Sequence, residues 1–208
     1  MKTMASTTRQ QLPRRAADLL KCRRIPPAVA AEVLAREPRN LLTQAVKLWG
    51  DDEEPFKNLV SSPAPDARAW RRTMERFIRH LAPDLTGRSV YRGWYFPSRA
   101  ARKGFLDSIL EERFFESLRI GMSASRSLRT ATSASFVNPF GMVWEIQKPK
   151  TGRDVSEIFR SIGAKYPEQR EVIFPKGSRF ALAERPRRLS LVRSGQKIAV
   201  PYVVFEEI

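Results

Sequence analysis

Three short strings in the second half of the chain hold the residues best suited to chemistry: Tyr91-Arg92-Gly93, Ser123-Ala124-Ser125 and Gln169-Arg170-Glu171. Arg92 lies in an apolar run, where a guanidinium must be paired with an acid or must hold an anionic ligand. Ser123 offers a hydroxyl, although serines are also common in ordinary turns. Glu171 precedes Val-Ile-Phe, and a carboxylate at the start of such a strand is usually solvated. Each string has an ordinary structural explanation, so only their combination indicates a site.

The rest of the sequence argues against several other kinds of chemistry. The chain has one cysteine, Cys22, and one histidine, His80. An intrachain disulfide is therefore impossible, and we expect no metal site. The phosphate-binding motif GxxxxGKS/T, the dinucleotide motif GxGxxG and the hydrolase motif GxSxG do not occur in the sequence. A Ser-His-Asp triad would have to use His80, which we expect on the exposed, polar side of a helix.

Strands are predicted around all three strings. SVYRGWYF is dense in aromatic and β-branched residues, which predicts a strand that carries Arg92. A second predicted strand, LRIGMSAS, ends at the two serines, and a third, REVIFP, contains Glu171 near its start. Further strands are predicted at MVWEIQ, SRFALAE and KIAVPYVVFEE, and the apolar spacing from Phe105 to Leu118 predicts a helix. The second half of the chain should therefore be mostly β.

The first third of the chain predicts helices broken by prolines. Pro26-Pro27 suits the first turn of a helix over PPAVAAEVLARE. Gly50, after LLTQAVKLW, is placed for a left-handed helix cap. Residues 55–65 predict a loop, and apolar residues at helical spacing from Trp70 to Leu81 predict an amphipathic helix.

The charge of the chain favours anionic partners. The 38 Lys and Arg against 22 Asp and Glu give a formal net charge of +16, with arginines spread from Arg9 to Arg193. Such a field attracts acidic proteins, nucleic acid or an anionic dinucleotide without choosing among them. No apolar run approaches the roughly 18 residues of a membrane-spanning helix, and the amino terminus lacks the hydrophobic core of a signal peptide. We therefore expect no membrane span and a cytoplasmic site of action.

In their order and surroundings, the three strings resemble the arginine–serine–glutamate class of mono-ADP-ribosyltransferases. The segments that follow the family's order are VYRGW, RIGMSAS, Ala134-Ser135-Phe136, MVWEIQKPKTG and YPEQREVIFPKGSRFAL. The resemblance covers about residues 86–208, and ModA-type enzymes of T-even bacteriophages, which also carry Ser-Ala-Ser, are the most similar in character. It implies an α+β fold, with an N-terminal helical lobe over residues 1–85 and an ADP-ribosyltransferase-like β-sandwich core over residues 86–208.

The resemblance also implies an activity: cleavage of NAD and transfer of its ADP-ribose to a protein, with NAD as a substrate and without a metal. Arg92, with Gly93 beside it, would hold the NAD diphosphate, a task that suits a planar cation with several donors. Ser123 would orient Glu171. Glu171 would hydrogen-bond the nicotinamide ribose and stabilise the oxocarbenium charge as nicotinamide leaves. Hydrolysis of NAD is an expected side activity.

Further NAD contacts are implied after the second string. Ser125 belongs to the same motif, and Arg126 and Arg129 lie on a stretch that passes the NAD phosphates in the family. Phe136 or Phe140, in or after a helix, could place an aromatic ring beside the nicotinamide.

The position of the hydroxyl motif has an alternative. Thr130-Ala131-Thr132-Ser133 could supply it, but Ser123 is favoured because RIGM before it predicts a strand.

Gln169 bears on the acceptor. In the family, glutamate two positions before the catalytic glutamate goes with arginine acceptors, as in the ModA type. Glutamine there goes with clostridial Rho-modifying exoenzymes, whose acceptor is an asparagine. Alternate residues of a strand share a face, so Gln169 and Glu171 should point together. An amide can hydrogen-bond another amide, so we expect an amide acceptor, with Tyr166 as a second contact to it.

Two other kinds of function stay open. The charge and the arginine-aromatic segment RSVYRGWYFPSRAARK are compatible with a basic nucleic-acid-binding protein. A catalytically inactive transferase fold could also act as a binding module, because a fold does not guarantee a function. For the enzyme, the expected target is an acidic or nucleic-acid-associated protein. The chain would be a phage product in a bacterial host, or a secreted effector or toxin in another cell.

Overall fold

A computed structural model describes residues 13–51, 65–117 and 121–208. Its first part is helical, with α1 at Ala16–Leu19, α2 at Pro27–Arg36, α3 at Leu41–Gly50 and α4 at Pro65–His80. The Pro26-Pro27 pair opens α2 as predicted. Most of the predicted loop at 55–65 lies outside the described residues, and its last residue begins α4. No helix in the described ranges is both long and apolar enough to cross a bilayer.

The second part is dominated by one mixed sheet. Its strands are β1 Val90–Trp94, β2 Phe114–Glu116, β3 Gly121–Ser125, β4 Met142–Gln147, β5 Arg153–Asp154, β6 Glu171–Pro175, β7 Arg179–Leu182, β8 Arg187–Arg193 and β9 Gln196–Glu207. Three α-helices of the described residues lie between strands: α5 Arg99–Glu112, α6 Leu128–Ala131 and α7 Ser156–Ser161. The strand order is β2-β7-β9-β4-β1-β3-β6-β5, with β8 paired to β9. β4 and β9 run parallel, and the other pairs are antiparallel.

The sheet folds over itself to enclose a core. Phe174 of β6 and Phe180 of β7 come from strands near opposite ends of the order, yet their ring centroids are 5.0 Å apart. Trp144 lies between them in the order, fully buried, with its ring 4.6 Å from that of Phe205. Aromatic rings bury large apolar areas, which makes this cluster a main source of stability. The predicted α+β fold with a β-sandwich core is confirmed.

A second core lies between the first four helices, α7 and the face of the sheet that points away from the aromatic core. Buried side chains of α1 to α4 pack with Ile158 and Phe159 of α7 and with Ile173 of β6. Because this cluster contains residues from both sides of position 86, the division into two domains stays a prediction. His80, at the end of α4, is half-buried, with Nδ1 3.4 Å from the carbonyl oxygen of Leu19.

Gly50 does not have the predicted conformation. It is the last residue of α3, and it is not among the glycines with positive φ. A Cβ atom there would lie 3.0 Å from both Cβ of Ala164 and Cδ1 of Phe159. Gly50 therefore allows α3 to pack closely on α7, and its role is contact rather than capping.

Candidate active site

Ser123 and Glu171 meet on one face of the sheet. In the antiparallel pair of β3 and β6, Ser123 lies opposite Ile173, and Ser125 lies opposite Glu171. Strand alternation therefore places both serines and the glutamate on the same face, while Ala124 packs in the sandwich core. The Ser123 hydroxyl donates a hydrogen bond to Oε1 of Glu171. The hydroxyl can thus fix the orientation of the carboxylate.

Arg92 joins this pair through the backbone. Its Nη1 donates to the carbonyl oxygen of Ser123, and its Cζ lies 4.5 Å from the centre of the Trp94 ring. β1 and β3 are registered at one pair in the described residues, Tyr91 opposite Ser125. The hydrogen bond to the Ser123 carbonyl and the cation–π interaction with the Trp94 ring together hold the guanidinium in place. The structure therefore brings Arg92, Ser123 and Glu171 together in one connected group.

Trp49 is a fourth member of the group, and no motif in the sequence singled it out. Its indole Nε1 donates to Oε1 of Glu171 at 3.2 Å, across 122 positions of the chain. Trp49 stands at the end of α3, where the apolar pattern indicated only a helix. Because the contact joins distant segments, no local spacing in the sequence could have revealed it.

The residues before Glu171 form a turn and not a strand. Pro167–Gln169 is a short 3-10 helix after Tyr166, and Arg170 has the left-handed φ of 51°. The strand alternation expected between Gln169 and Glu171 is therefore wrong, because Gln169 lies in the 3-10 helix and β6 begins only at Glu171. The Ser125 hydroxyl donates to the carbonyl oxygen of Gln169 at 2.5 Å, so β3 holds this turn directly.

Arg126 is occupied by protein carboxylates. Its guanidinium pairs with Asp84, and its Nε donates to Oδ2 of Asp154 at 2.9 Å. Its side chain is only 9% exposed. Burial raises the pKa of Asp154, but hydrogen bonds from Ser156 and Arg126 outweigh burial and leave that pKa below its ordinary value. Arg126 therefore ties β3 to β5, and the implied phosphate contact does not suit it.

Gly93 and the region after α6 pack closely. A Cβ atom on Gly93 would lie 2.2 Å from the carbonyl oxygen of Ala131. Phe136 and Phe140 lie in turns and not in a helix, because α6 ends at Ala131. Phe136 is half-buried against an apolar cluster, whereas Phe140 is 38% exposed.

The two positions considered for the hydroxyl motif differ in their surroundings. Thr130 lies within α6, where its backbone N–H is capped by the Ser127 hydroxyl at 3.2 Å. Arg129, its neighbour, is exposed. Ser123 is the residue whose hydroxyl reaches Glu171. Within the described ranges, no three His, Cys, Asp or Glu side chains are grouped so that they could hold a metal ion.

The overall architecture identifies the fold class of the protein. No protein-family model matches the sequence, and no curated protein matches it. Solved structures do match, and the fold is that of the ADP-ribosyltransferases.

Three of the matching structures illustrate the likeness. Plx2a, an ADP-ribosyltransferase toxin from Paenibacillus larvae, has a TM-score of 0.54 at 15% identity, over 87% of this chain and 96% of its own. The ADP-ribosyltransferase Vis from Vibrio splendidus, solved with the M6 inhibitor, has a TM-score of 0.52 at 16% identity, over 92% and 89%. Exoenzyme S from Pseudomonas aeruginosa, solved with human 14-3-3 protein beta and carba-NAD, has a TM-score of 0.50 at 14% identity, over 86% and 88%. At these identities the similarity establishes the fold.

Proposed function

We propose that this chain is an NAD-dependent mono-ADP-ribosyltransferase that modifies a protein. The observation that carries the proposal is the hydrogen bond from the Ser123 hydroxyl to the Glu171 carboxylate, with Arg92 of β1 donating to the carbonyl oxygen of Ser123. This group lies in a chain with an ADP-ribosyltransferase fold. Among the matching structures, Exoenzyme S was solved with carba-NAD, which supports NAD as the substrate.

Each residue of the group has a chemical task in this reaction. The bond between the ribose C1′ and the nicotinamide nitrogen breaks, and the electron pair leaves with nicotinamide. The Glu171 carboxylate stabilises the positive charge that develops on the ribose, and Ser123 holds it in orientation. Arg92 holds the diphosphate with a charge that persists at any working pH. The acceptor then attacks C1′ and loses a proton, and attack by water would give NAD hydrolysis.

The other residues expected at the NAD site differ in their surroundings, and we propose different roles for them. Arg129 is exposed on α6 and is available as a second partner for phosphate. Phe136 is the aromatic proposed for the nicotinamide side. Gly93 contributes by letting α6 pack closely on β1, and Ser125 by holding the turn before Glu171.

We further propose an amide acceptor. Gln169 lies in the turn that leads into Glu171, and its neutral side chain can hydrogen-bond asparagine or glutamine but cannot form an ion pair with arginine. Tyr166, which is half-buried at the start of the turn, would add an aromatic contact. The ModA-like strings suggest action in a bacterial cytoplasm as a phage protein, and action as an effector in another cell is the alternative. Peptide mass spectrometry of a labelled target tests the acceptor, and ADP-ribose on arginine would contradict it.

The activity itself is tested by release of nicotinamide and by labelling of a bacterial lysate with labelled NAD. Glu171→Gln keeps the size of the side chain and removes its charge, so both signals should fall by about 100-fold or more. Glu168→Gln is the matched control, because Glu168 is exposed in the same turn. The control should keep wild-type rates. Equal rates for wild type and Glu171→Gln would refute the proposal.

A further inference from the structure

The end of α3 reaches into the active-site group. Trp49 donates from Nε1 to Oε1 of Glu171, the same oxygen that accepts from the Ser123 hydroxyl. One donor comes from the sheet and the other from the helical part of the chain. A hydrogen bond to a carboxylate is stronger than one between neutral groups. The rotation of the Glu171 side chain therefore depends on where α3 lies.

The position of α3 is fixed next to Trp49. Gly50 packs against Phe159 and Ala164 without room for a side chain. The Oδ1 atom of Asp51 accepts a hydrogen bond from the backbone N–H of Lys165 at 2.6 Å. Ala164 and Lys165 lead directly into the turn that precedes Glu171. We call Trp49, Gly50 and Asp51 the α3 latch, because they bind α3 both to the catalytic carboxylate and to the segment before it.

We propose that Trp49 is a positioning residue for Glu171, and that through it the helical part of the chain sets the turnover rate. This inference depends on the proposed function. The indole N–H holds Oε1 together with Ser123, so the carboxylate keeps one orientation while charge develops on the ribose. Trp49 acts on Glu171 and not on the NAD diphosphate, so its loss should affect kcat and leave KM for NAD unchanged.

Trp49→Phe tests the inference, because it keeps an aromatic ring in the same core and removes the N–H. Since Ser123 still holds the oxygen, we expect kcat for nicotinamide release to fall about five- to tenfold, less than the full loss of a hydrogen bond to a charged group. Val46→Ala is the matched control. Val46 is buried in the same helix at 1% exposure, so its truncation should lower Tm and leave kcat unchanged.

Two further variants separate positioning from stability. Ser123→Ala combined with Trp49→Phe should lose more than the product of the single losses, because the two donors share one oxygen and each compensates for the other. Asp51→Ala removes the bond to the Lys165 N–H together with the ion pair between Lys47 and Asp51, and it should lower kcat about two- to threefold, a smaller effect because the Trp49 N–H is retained.

The outcomes are distinguishable from failure of the proposed function. If kcat is unchanged in both Asp51→Ala and Trp49→Phe, the role of Trp49 is overturned, while NAD cleavage by the wild type stands. If Trp49→Phe does not fold, an unchanged kcat in Asp51→Ala alone overturns that role. A wild-type protein that consumes no NAD would overturn the proposed function itself. A rise in KM without a change in kcat would also contradict positioning of the carboxylate.

Discussion

Gly93 is the position at which a single added methyl group should destabilise the protein most clearly. In Gly93→Ala, the new Cβ would lie 2.2 Å from the carbonyl oxygen of Ala131 and 2.7 Å from Cγ2 of Val137, whereas ordinary contact begins near 3.4 Å. The nearest atom is backbone at the end of α6, so β1 and α6 would have to separate by about 1 Å. Overpacking of this kind costs about 1–3 kcal/mol, and we expect the upper end of that range.

Urea unfolding measures this effect. With a slope of about 2 kcal/mol per M, a loss of about 3 kcal/mol lowers the midpoint by roughly 1.5 M. Gly104→Ala is the control. Gly104 lies in the middle of α5, and an added Cβ there would have no atom within 4 Å, so alanine should stabilise the helix by about 0.5–1 kcal/mol. A Gly93→Ala protein with the wild-type midpoint would refute the reasoning.

Two more predictions follow from the site. Arg92→Lys keeps the charge but loses the planar fork that reaches the Ser123 carbonyl, so KM for NAD should rise about tenfold; an unchanged KM in steady-state kinetics would argue against a diphosphate role. The pKa of Asp154 is lowered below 3.8 because hydrogen bonds outweigh burial, so its contribution to stability is present above that value and is lost as the pH falls through the lower folded-state pKa. Asp154→Asn should therefore destabilise the protein at neutral pH and progressively less below about pH 4; thermal unfolding that shows the same loss of stability at every pH would contradict this.

The central strands could be predicted from the sequence because they are rich in aromatic and β-branched residues. MVWEIQ coincides with β4, and SVYRGWYF contains β1. β8 was missed, since Arg187 and Arg188 begin it at exposed positions and it is stabilised by pairing with β9. The predicted helix from 105 to 118 ends early, because Arg113 adopts a left-handed φ of 58° and Phe114 begins β2.

The candidate site could be predicted only in part. The order of the strings indicated Arg92, Ser123 and Glu171, and the structure places them in contact. The alternation expected for Gln169 was wrong because a left-handed residue interrupts it. Trp49 had no signal in the sequence, because its hydrogen bond to Glu171 exists only once the helices have packed on the sheet.

The place of β9 in the sheet bears on how the protein is made. Gln196–Glu207 lies between β7 and β4 and also pairs with β8. Until a ribosome has synthesised these residues, β4 and β7 have unpaired edges and the aromatic core lacks Phe205. The site on β1, β3 and β6 can therefore reach its final form only after β9 has been synthesised, and nascent chains should depend on chaperones to keep those edges from aggregating.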